Sequence, residues 1–396
     1  MNKKKVLFAA QNFSVGGVQK ALLNQLCTLS ESGEYDLHLF TFTGGSLLKE
    51  LPRDVTVLSG GKLLRLSAES FGAVRASKKP IDILLRVLIT VYARVFGSER
   101  FYRRCFKRLR YKEQFDAAVS YFTDVPAGAF NKGTNLFVSD FVDAAYKVAW
   151  IHTDPILSGF DKDYCRRIYA PFDKIVCVSE GVRKKFLLLL PEYAKKTAVR
   201  HNVFCKRDIE KKSIEYLPFK KDGKVHIVTV ARTDNASKRI DGIVRLCKRL
   251  CDDGVRNFCW HIVGDGPDRI KCEELAVSLS VTDNIRFEGE KENPYPYIQN
   301  ADLFALYSAY EGFPLVIGEA ILLKTPILTC RYAAAEEQIP PECGKIADSD
   351  EEYYTMLRDF LNAAKKRSIQ SVENGLYKQF DAKGGESLCI RHKNVK

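Results

Sequence analysis

The sequence predicts an α/β protein made of two similar domains, each built on a mostly parallel sheet with covered faces. Three observations carry that prediction. Short apolar runs alternate with helical patterns along the first half of the chain. A polar, charged stretch then interrupts the pattern, from Lys206 to Lys224. After it the same alternation restarts, so the unit is used twice.

In order, the first domain offers strands at Val6–Ala10, Leu37–Phe42, Ala117–Phe122, Val148–His152 and Ile175–Ser179. Helical patterns fall between several of them, at Val18–Leu29 and Glu180–Leu190. Lys206–Lys224 reads as a linker or surface connection, which puts the domains at residues 1–204 and 205–378, with 379–396 as a tail. The second domain offers strands at Val225–Ala231, Trp260–Gly264, Ile285–Phe287, Leu303–Tyr307 and Ile327–Thr329. Its helices are expected at Arg239–Cys251, Arg269–Leu279 and near Leu315–Leu323.

Composition narrows the class. The chain has 396 residues, 46% hydrophobic and 28% charged, which excludes a disordered or collagen-like chain. Its formal net charge of +13 falls entirely in residues 1–200, with the densest run in residues 75–112. Such asymmetry points to a polyanion or an anionic surface meeting one half of the chain. Within residues 81–112, Leu84, Leu85, Leu88, Val91, Tyr92 and Val95 fall near one helical face among many arginines and lysines. Two readings stand: a helix lying in an anionic membrane interface, or a core helix with a solvated basic face. Nucleic acid is disfavoured, because no helix-turn-helix, zinc or ribonucleoprotein signature accompanies the charge. The twelve cysteines show no C-x-x-C pair and read as buried free thiols of a reducing compartment. No stretch of the sequence reads as a signal peptide or a membrane span. The expectation is a cytoplasmic protein, soluble or held at a membrane surface.

Four motifs carry chemistry. Gly16-Gly17 follows the first strand and opens the first helix, where free N–H groups can meet a phosphate or a reacting sugar; a tight turn is the plainer alternative. His152 and Asp154 stand at the end of a strand, where open parallel sheets bind ligands; a packed His and a capping Asp are the alternative. Arg232 ends a strand and Lys238 begins the next helix, a plausible diphosphate clamp. Glu311 and Glu319 flank Gly312-Phe313-Pro314-Leu315, with Pro314 at a favoured helix start. Glu311 would then sit over a ligand with the Gly312–Leu315 amides, and Glu319 could accept the paired hydroxyls of a ribose.

On these residues, with Gly264-Asp265-Gly266-Pro267, Asn300-Ala301-Asp302 and Ser179-Glu180, the chain resembles the retaining GT-B glycosyltransferases of the glycogen-synthase-like and lipopolysaccharide-type group, glycosyltransferase family 4. Trp150–Asp154 and Asn293–Tyr297 look like bacterial members that build capsule or other surface polysaccharides. The resemblance implies two Rossmann-like, doubly wound parallel-sheet domains facing across a cleft. It implies a retaining transferase that takes a sugar from a nucleotide-diphosphate sugar, with a UDP-sugar favoured, to a lipid-linked or polysaccharide acceptor. Arg232 and Lys238, with Arg239 in part, would hold the diphosphate, and Glu319 the ribose. Glu311, Gly312, Phe313, Pro314 and Leu315 would contact the donor sugar and its departing phosphate, with Gly264 also on the donor side. Gly16 and Gly17 would line the acceptor side, and His152 would approach the reacting sugar. The group usually has four residues between its Arg and Lys, and here there are five, so the loop is expected to bulge. No cofactor or metal is implied: the only D-x-D, Asp161-Lys162-Asp163, lies in a polar loop. The implied location is the inner face of the cell membrane. A nucleotide-sugar epimerase and a non-catalytic membrane-associated partner subunit are the alternatives.

Overall fold

The computed structural model describes residues 3–69, 71–109, 113–126, 130, 132–220 and 222–374. The residues from Gly375 onward, including the tail expected at 379–396, and the end of the basic segment at Arg110–Lys112 lie outside the described residues. The chain forms two compact units. One comprises Met1–Phe204 together with Glu311–Leu315, the other Cys205–Tyr310 and Val316–Lys396.

Among the described residues the first unit holds seven parallel strands: β1 (Lys4–Ala10), β2 (Tyr35–Thr41), β3 (Thr56–Ser59), β4 (Gln114–Ser120), β5 (Asp143–Ile151), β6 (Lys174–Cys177) and β7 (Thr197–Val199). Their order is β3-β2-β1-β4-β5-β6-β7. Every pairing is parallel; Val6 of β1, for example, lies opposite both Leu37 and Ala117. The central strand β1 is buried over its last five residues, because helices cover both faces. The helix Gly17–Ser32 follows β1 and stops at Gly33, whose left-handed conformation (φ 68°) suits a residue without Cβ.

Among the described residues the second unit holds six: β8 (Val225–Val230), β9 (Phe258–Val263), β10 (Ile285–Gly289), β11 (Leu303–Leu306), β12 (Ile327–Cys330) and β13 (Gly344–Ala347), in the order β10-β9-β8-β11-β12-β13. The helix Ile240–Asp252 buries Ile240, Ile243, Val244, Cys247, Leu250 and Cys251, the i, i+3, i+4, i+7 stripe of an amphipathic helix. Cys247 and Cys251 are therefore core residues. Trp260 is fully buried and donates its indole N–H to Thr229 Oγ1 at 2.9 Å; that hydroxyl donates to the Ala305 carbonyl at 2.5 Å. The relay ties β8, β9 and β11 together beneath their carboxyl ends.

The polar stretch read as a linker contains a helix, Lys206–Ser213. It buries Ile209 and is held at its end by Asn293, whose amide donates to the Lys212 carbonyl at 2.7 Å. One buried apolar residue in eight is too weak a pattern to announce a helix. The short strands β3, β7 and β13 carry no continuous apolar run and escape sequence reading for the same reason.

The basic segment forms the helices Pro80–Phe96 and Ser98–Lys107. The first turns its apolar side outward: Ile81, Leu84, Leu88, Val91 and Val95 are 65%, 59%, 54%, 51% and 67% exposed, while Asp82, Arg86, Ile89 and Ala93 are buried. That geometry is the reverse of a core helix with a solvated basic face. Arg86 lies over the Phe130 ring, 4.5 Å from its centroid, and donates to Thr90 Oγ1 at 3.1 Å. Among the described residues, no helix is long and apolar enough to cross a membrane.

Candidate functional sites in the two units

In a doubly wound sheet, ligands meet the carboxyl ends of the strands where the strand order reverses. In the second unit that point lies between β8 and β11. The residues just after these two strands are Ala231-Arg232-Thr233 and Tyr307-Ser308-Ala309. The loops are joined by the Ala309 N–H, which donates to the Ser237 carbonyl at 2.9 Å. Thr233 Oγ1 and Ser308 Oγ are buried and have no hydrogen-bond partner among the described residues. Buried hydroxyls are normally satisfied, so two orphans at the switch point make it a candidate ligand site. Arg232 is exposed at the same strand end, and none of the ion pairs among the described residues uses it.

The five residues between Arg232 and Lys238 are accommodated by a single helical turn, Asn235–Lys238. Asp234 caps it by accepting from the Ala236 N–H at 3.2 Å, and Asp268 accepts from the Asn235 N–H at 3.0 Å. Lys238 ends this turn rather than opening the following helix. Arg239 then takes a left-handed conformation (φ 50°, ψ 43°), and the long helix starts at Ile240. That conformation is costly for a residue with a Cβ. It is held by side-chain bonds: the guanidinium donates to Asp350 at 2.6 and 2.9 Å and to Tyr307 Oη at 2.8 Å, lying over the Tyr307 ring. Arg239, expected to share the diphosphate, is thus engaged by a carboxylate and a phenol.

Gly264 and Gly266 follow β9 and pack on the Arg232 loop. A Cβ on Gly264 would stand 2.0 Å from the Ala231 oxygen, and one on Gly266 would stand 2.3 Å from the Thr233 oxygen. These glycines shape the loop by letting two backbones touch. Glu319 lies buried within the helix Leu315–Leu322, and Tyr295 Oη donates to its Oε1 at 3.3 Å. Thr233, Ser308 and Tyr295 are candidate site residues to which sequence reading gave no role. Thr233 is the neighbour of a recognised Arg, but nothing marks Ser308 until the strand order is known.

In the first unit the order reverses between β1 and β4. Two helices start beside this point. The N-terminus of Thr134–Phe141 is already occupied: buried Asp124, just past β4, accepts from the N–H groups of Gly133 (2.8 Å), Thr134 (3.2 Å) and Asn135 (3.3 Å) and from the Thr134 hydroxyl (2.7 Å). Burial pushes this carboxyl up to about 6 against the pull of those donors. The N-terminus of Gly17–Ser32 has no side-chain cap. A Cβ on Gly17 would meet nothing within 4 Å, whereas one on Gly16 would meet only the flexible Gln19 amide. Gly17 is therefore not required by packing within the unit.

His152 stands one strand further along, after β5, its N–H donating to Thr123 Oγ1 at 2.7 Å and its ring against Tyr121, 4.7 Å between centroids. Burial pulls its imidazole down to about 3, so it is neutral, and Nε2 is buried without a hydrogen-bond partner among the described residues. Asp154 follows the plainer reading. It is buried, caps the turn by accepting from the N–H groups of Ile156 (3.1 Å) and Leu157 (3.2 Å), and pairs with Lys185. Asp161 of the D-x-D caps the helix Lys162–Tyr169 by accepting from the Tyr164 N–H at 2.8 Å.

The segment Glu311–Leu315 belongs to the first unit. Asn202 donates to the Phe313 carbonyl at 3.1 Å, Ser179 Oγ donates to the Gly312 carbonyl at 3.4 Å, and His201 stacks on Phe313. A Cβ on Gly312 would stand 2.1 Å from the His152 oxygen. Pro314 precedes the helix, which begins at Leu315, and Glu311 is buried.

Residues 211–370, most of the second unit, match the family model described as Glycosyl transferases group 1. An uncharacterized glycosyltransferase of Methanocaldococcus jannaschii is 24% identical over 221 residues, 52% of this chain and 53% of its own length. The N-acetylgalactosamine-N,N'-diacetylbacillosaminyl-diphospho-undecaprenol 4-alpha-N-acetylgalactosaminyltransferase of Campylobacter jejuni is 24% identical over 215 residues, 51% of this chain and 57% of its own length. The chain thus spans about half the length of these curated relatives. Among solved structures, Anabaena HepE in complex with UDP superposes with a TM-score of 0.59 at 15% identity, covering 92% of this chain and 95% of that one. The fold is GT-B: two Rossmann-like parallel-sheet domains.

Proposed function

We propose that the chain is a retaining glycosyltransferase that moves a sugar from a UDP-sugar to a lipid-linked or polysaccharide acceptor at the inner face of a membrane. The observation that carries the reading is the pair of buried, unpartnered hydroxyls, Thr233 and Ser308, beside Arg232 at the switch point of a glycosyl transferases group 1 domain. Such a crevice suits a nucleoside diphosphate, whose oxygens need both cations and hydroxyl donors. UDP is favoured because HepE was solved with UDP on the same fold. The lipid-linked acceptor is favoured by the diphospho-undecaprenol substrate in the Campylobacter relative's name.

In this reading Arg232 and Lys238 hold the diphosphate and Glu319, steadied by Tyr295, takes the ribose. Glu311 and the Gly312–Leu315 amides meet the donor sugar. The acceptor enters past Gly16 and Gly17, with neutral His152 offering a hydrogen bond to the reacting sugar. The acceptor oxygen bonds to the anomeric carbon from the face that the diphosphate leaves. The carbon–oxygen bond to the diphosphate breaks, and the acceptor's proton passes to the departing phosphate oxygen. Arg232 and Lys238 stabilise the charge that grows there, so no metal is needed.

Thermal denaturation with UDP, GDP and ADP tests the donor site. UDP at a hundred times its dissociation constant should stabilise by about 2.7 kcal/mol, an effect weakened in Arg232→Ala and Glu319→Ala. In turnover, Arg232→Ala should lower kcat by about 10²–10³-fold. Indifference to every nucleoside diphosphate would sink the proposal.

A further inference from the structure

We propose that a basic cavity in the first unit, together with the outward apolar face of the helix Pro80–Phe96, docks the phosphate headgroup and adjoining acyl region of an anionic lipid in a bilayer. The inference rests on the membrane-facing part of the function proposed above, and it assigns that part to named residues.

The cavity has a volume of about 420 Å³ and lies past the ends of β2 and β3, between Thr43, Ser59, Lys62, Arg65, Lys79 and Asp82. Three cations line it against one carboxylate. Asp82 is buried and bonds two of them at once, Lys62 Nζ at 2.7 Å and Arg65 at 2.8 Å. Asp82 thus holds two cations in fixed positions, and Arg65 also donates to Glu69 at 3.0 Å, so two carboxylates balance Lys62 and Arg65. Those bonds to Lys62 and Arg65 also keep Asp82 ionised, below the usual carboxylate range. Lys79 takes part in none of the ion pairs among the described residues and supplies the surplus positive charge at the rim. The surplus charge of Lys79 beside two positioned donors, Lys62 and Arg65, makes a hollow of this size suited to a phosphate group.

What lies beside the hollow identifies the source of that phosphate. Asp82 is on the first turn of the helix Pro80–Phe96, and the same turn presents Ile81 and Leu84 outward. From there the exposed apolar line continues through Leu88, Val91 and Val95. Exposed cations border it at Arg75, Lys78, Arg94, Arg100 and Arg104. The acids of this stretch are spent: Asp82 in the cavity, and Glu99 on Arg103 at 3.0 Å. An apolar stripe flanked by positive charge, on a helix too short and too charged to span, is the form of a helix that lies in the headgroup layer. A free anion would use the cavity and leave the stripe without a partner. An anionic lipid satisfies both.

The test is flotation of the full chain with phosphatidylcholine vesicles, with and without phosphatidic acid, and with phosphatidylglycerol vesicles of matched surface charge. The chain should float with phosphatidic acid, less with phosphatidylglycerol, and not with phosphatidylcholine alone. Lys79→Ala should lower the partition coefficient about fivefold, the worth of one basic residue near an anionic surface, and by more than Lys107→Ala, which lies outside the cavity. Leu88→Asn, on the exposed face and so harmless to folding, should also release the protein. Equal binding to both anionic vesicles with equal loss in Lys79→Ala and Lys107→Ala would overturn the cavity. Binding to none of the vesicles would overturn the whole proposal, as would a dimer that hides this face. Stabilisation by inorganic phosphate alone, without vesicle binding, would replace the lipid by a free anion. UDP-induced stabilisation, read on the same samples, reports the donor site separately, so either reading can fail without the other.

Discussion

Gly264→Ala isolates the backbone contact that shapes the Arg232 loop. Gly264 has φ 143°, a conformation that side chains rarely adopt, and an added Cβ would stand 2.0 Å from the Ala231 oxygen. Ordinary carbon–oxygen contacts lie at about 3.3 Å or more, so the two strand ends must part by roughly 1 Å. They are tied by two hydrogen bonds, Ala231 N–H to the Val263 oxygen (3.0 Å) and Thr233 N–H to the Asp265 oxygen (3.1 Å), while the Gly264 N–H is held on the other side by the Gly289 oxygen of β10 (2.8 Å). Backbone strain of about 1–3 kcal/mol and the loss of at least one bond worth about 0.5–1.5 kcal/mol give an expected cost of about 2–4 kcal/mol. Gly254→Ala is the control, because Gly254 also has positive φ (80°) but nothing within 4 Å of its added Cβ. Urea denaturation of the two variants separates strain from overlap. Gly264→Ala should lose at least 1 kcal/mol more than Gly254→Ala, on the value of one lost bond, and should bind UDP more weakly. Equal losses would refute the overlap argument.

Two other outcomes follow from the same geometry. Gly17→Ala should fold as well as the parent, within about 1 kcal/mol, since its Cβ meets open space; if a substrate approaches that backbone, kcat/KM falls while the melting temperature holds, and unchanged kinetics would leave Gly17 as a simple turn residue. Stability should also depend on pH through the pair His261 and Glu288, whose ring Nδ1 and Oε1 stand 2.8 Å apart. Burial disfavours the charged imidazole, but bonds to Cys259 and Glu288 outweigh it and raise His261 from 6.5 to about 9. A raised pKa means stability fully present below pH 6.5 and lost as pH rises through about 9. His261→Gln should flatten that alkaline slope in denaturation curves, and a slope that persists would assign it to another group.

The sequence by itself determined what is local. Apolar runs and helical periods announce most of the strands and helices, because burial between helix layers demands contiguous apolar residues. The motifs at strand ends are equally legible: Arg232 follows β8, Gly16-Gly17 opens a helix, and Glu311–Glu319 runs into one, since each is a few residues that act together. Only the tertiary structure decided what depends on partners far away in the chain. Strand order placed Ser308 beside the Arg232 loop, and Tyr295 reached Glu319 across 24 positions. Arg239 was drawn to Asp350, 111 positions on, which is why a cation next to a recognised clamp serves a turn. The helix Pro80–Phe96 is the sharpest case. Its period defines an apolar face, but a period carries no sign for inside or outside. The unit buries Asp82 and Arg86 because Lys62, Arg65 and Phe130 are there to satisfy them, and the apolar face is left to the surface.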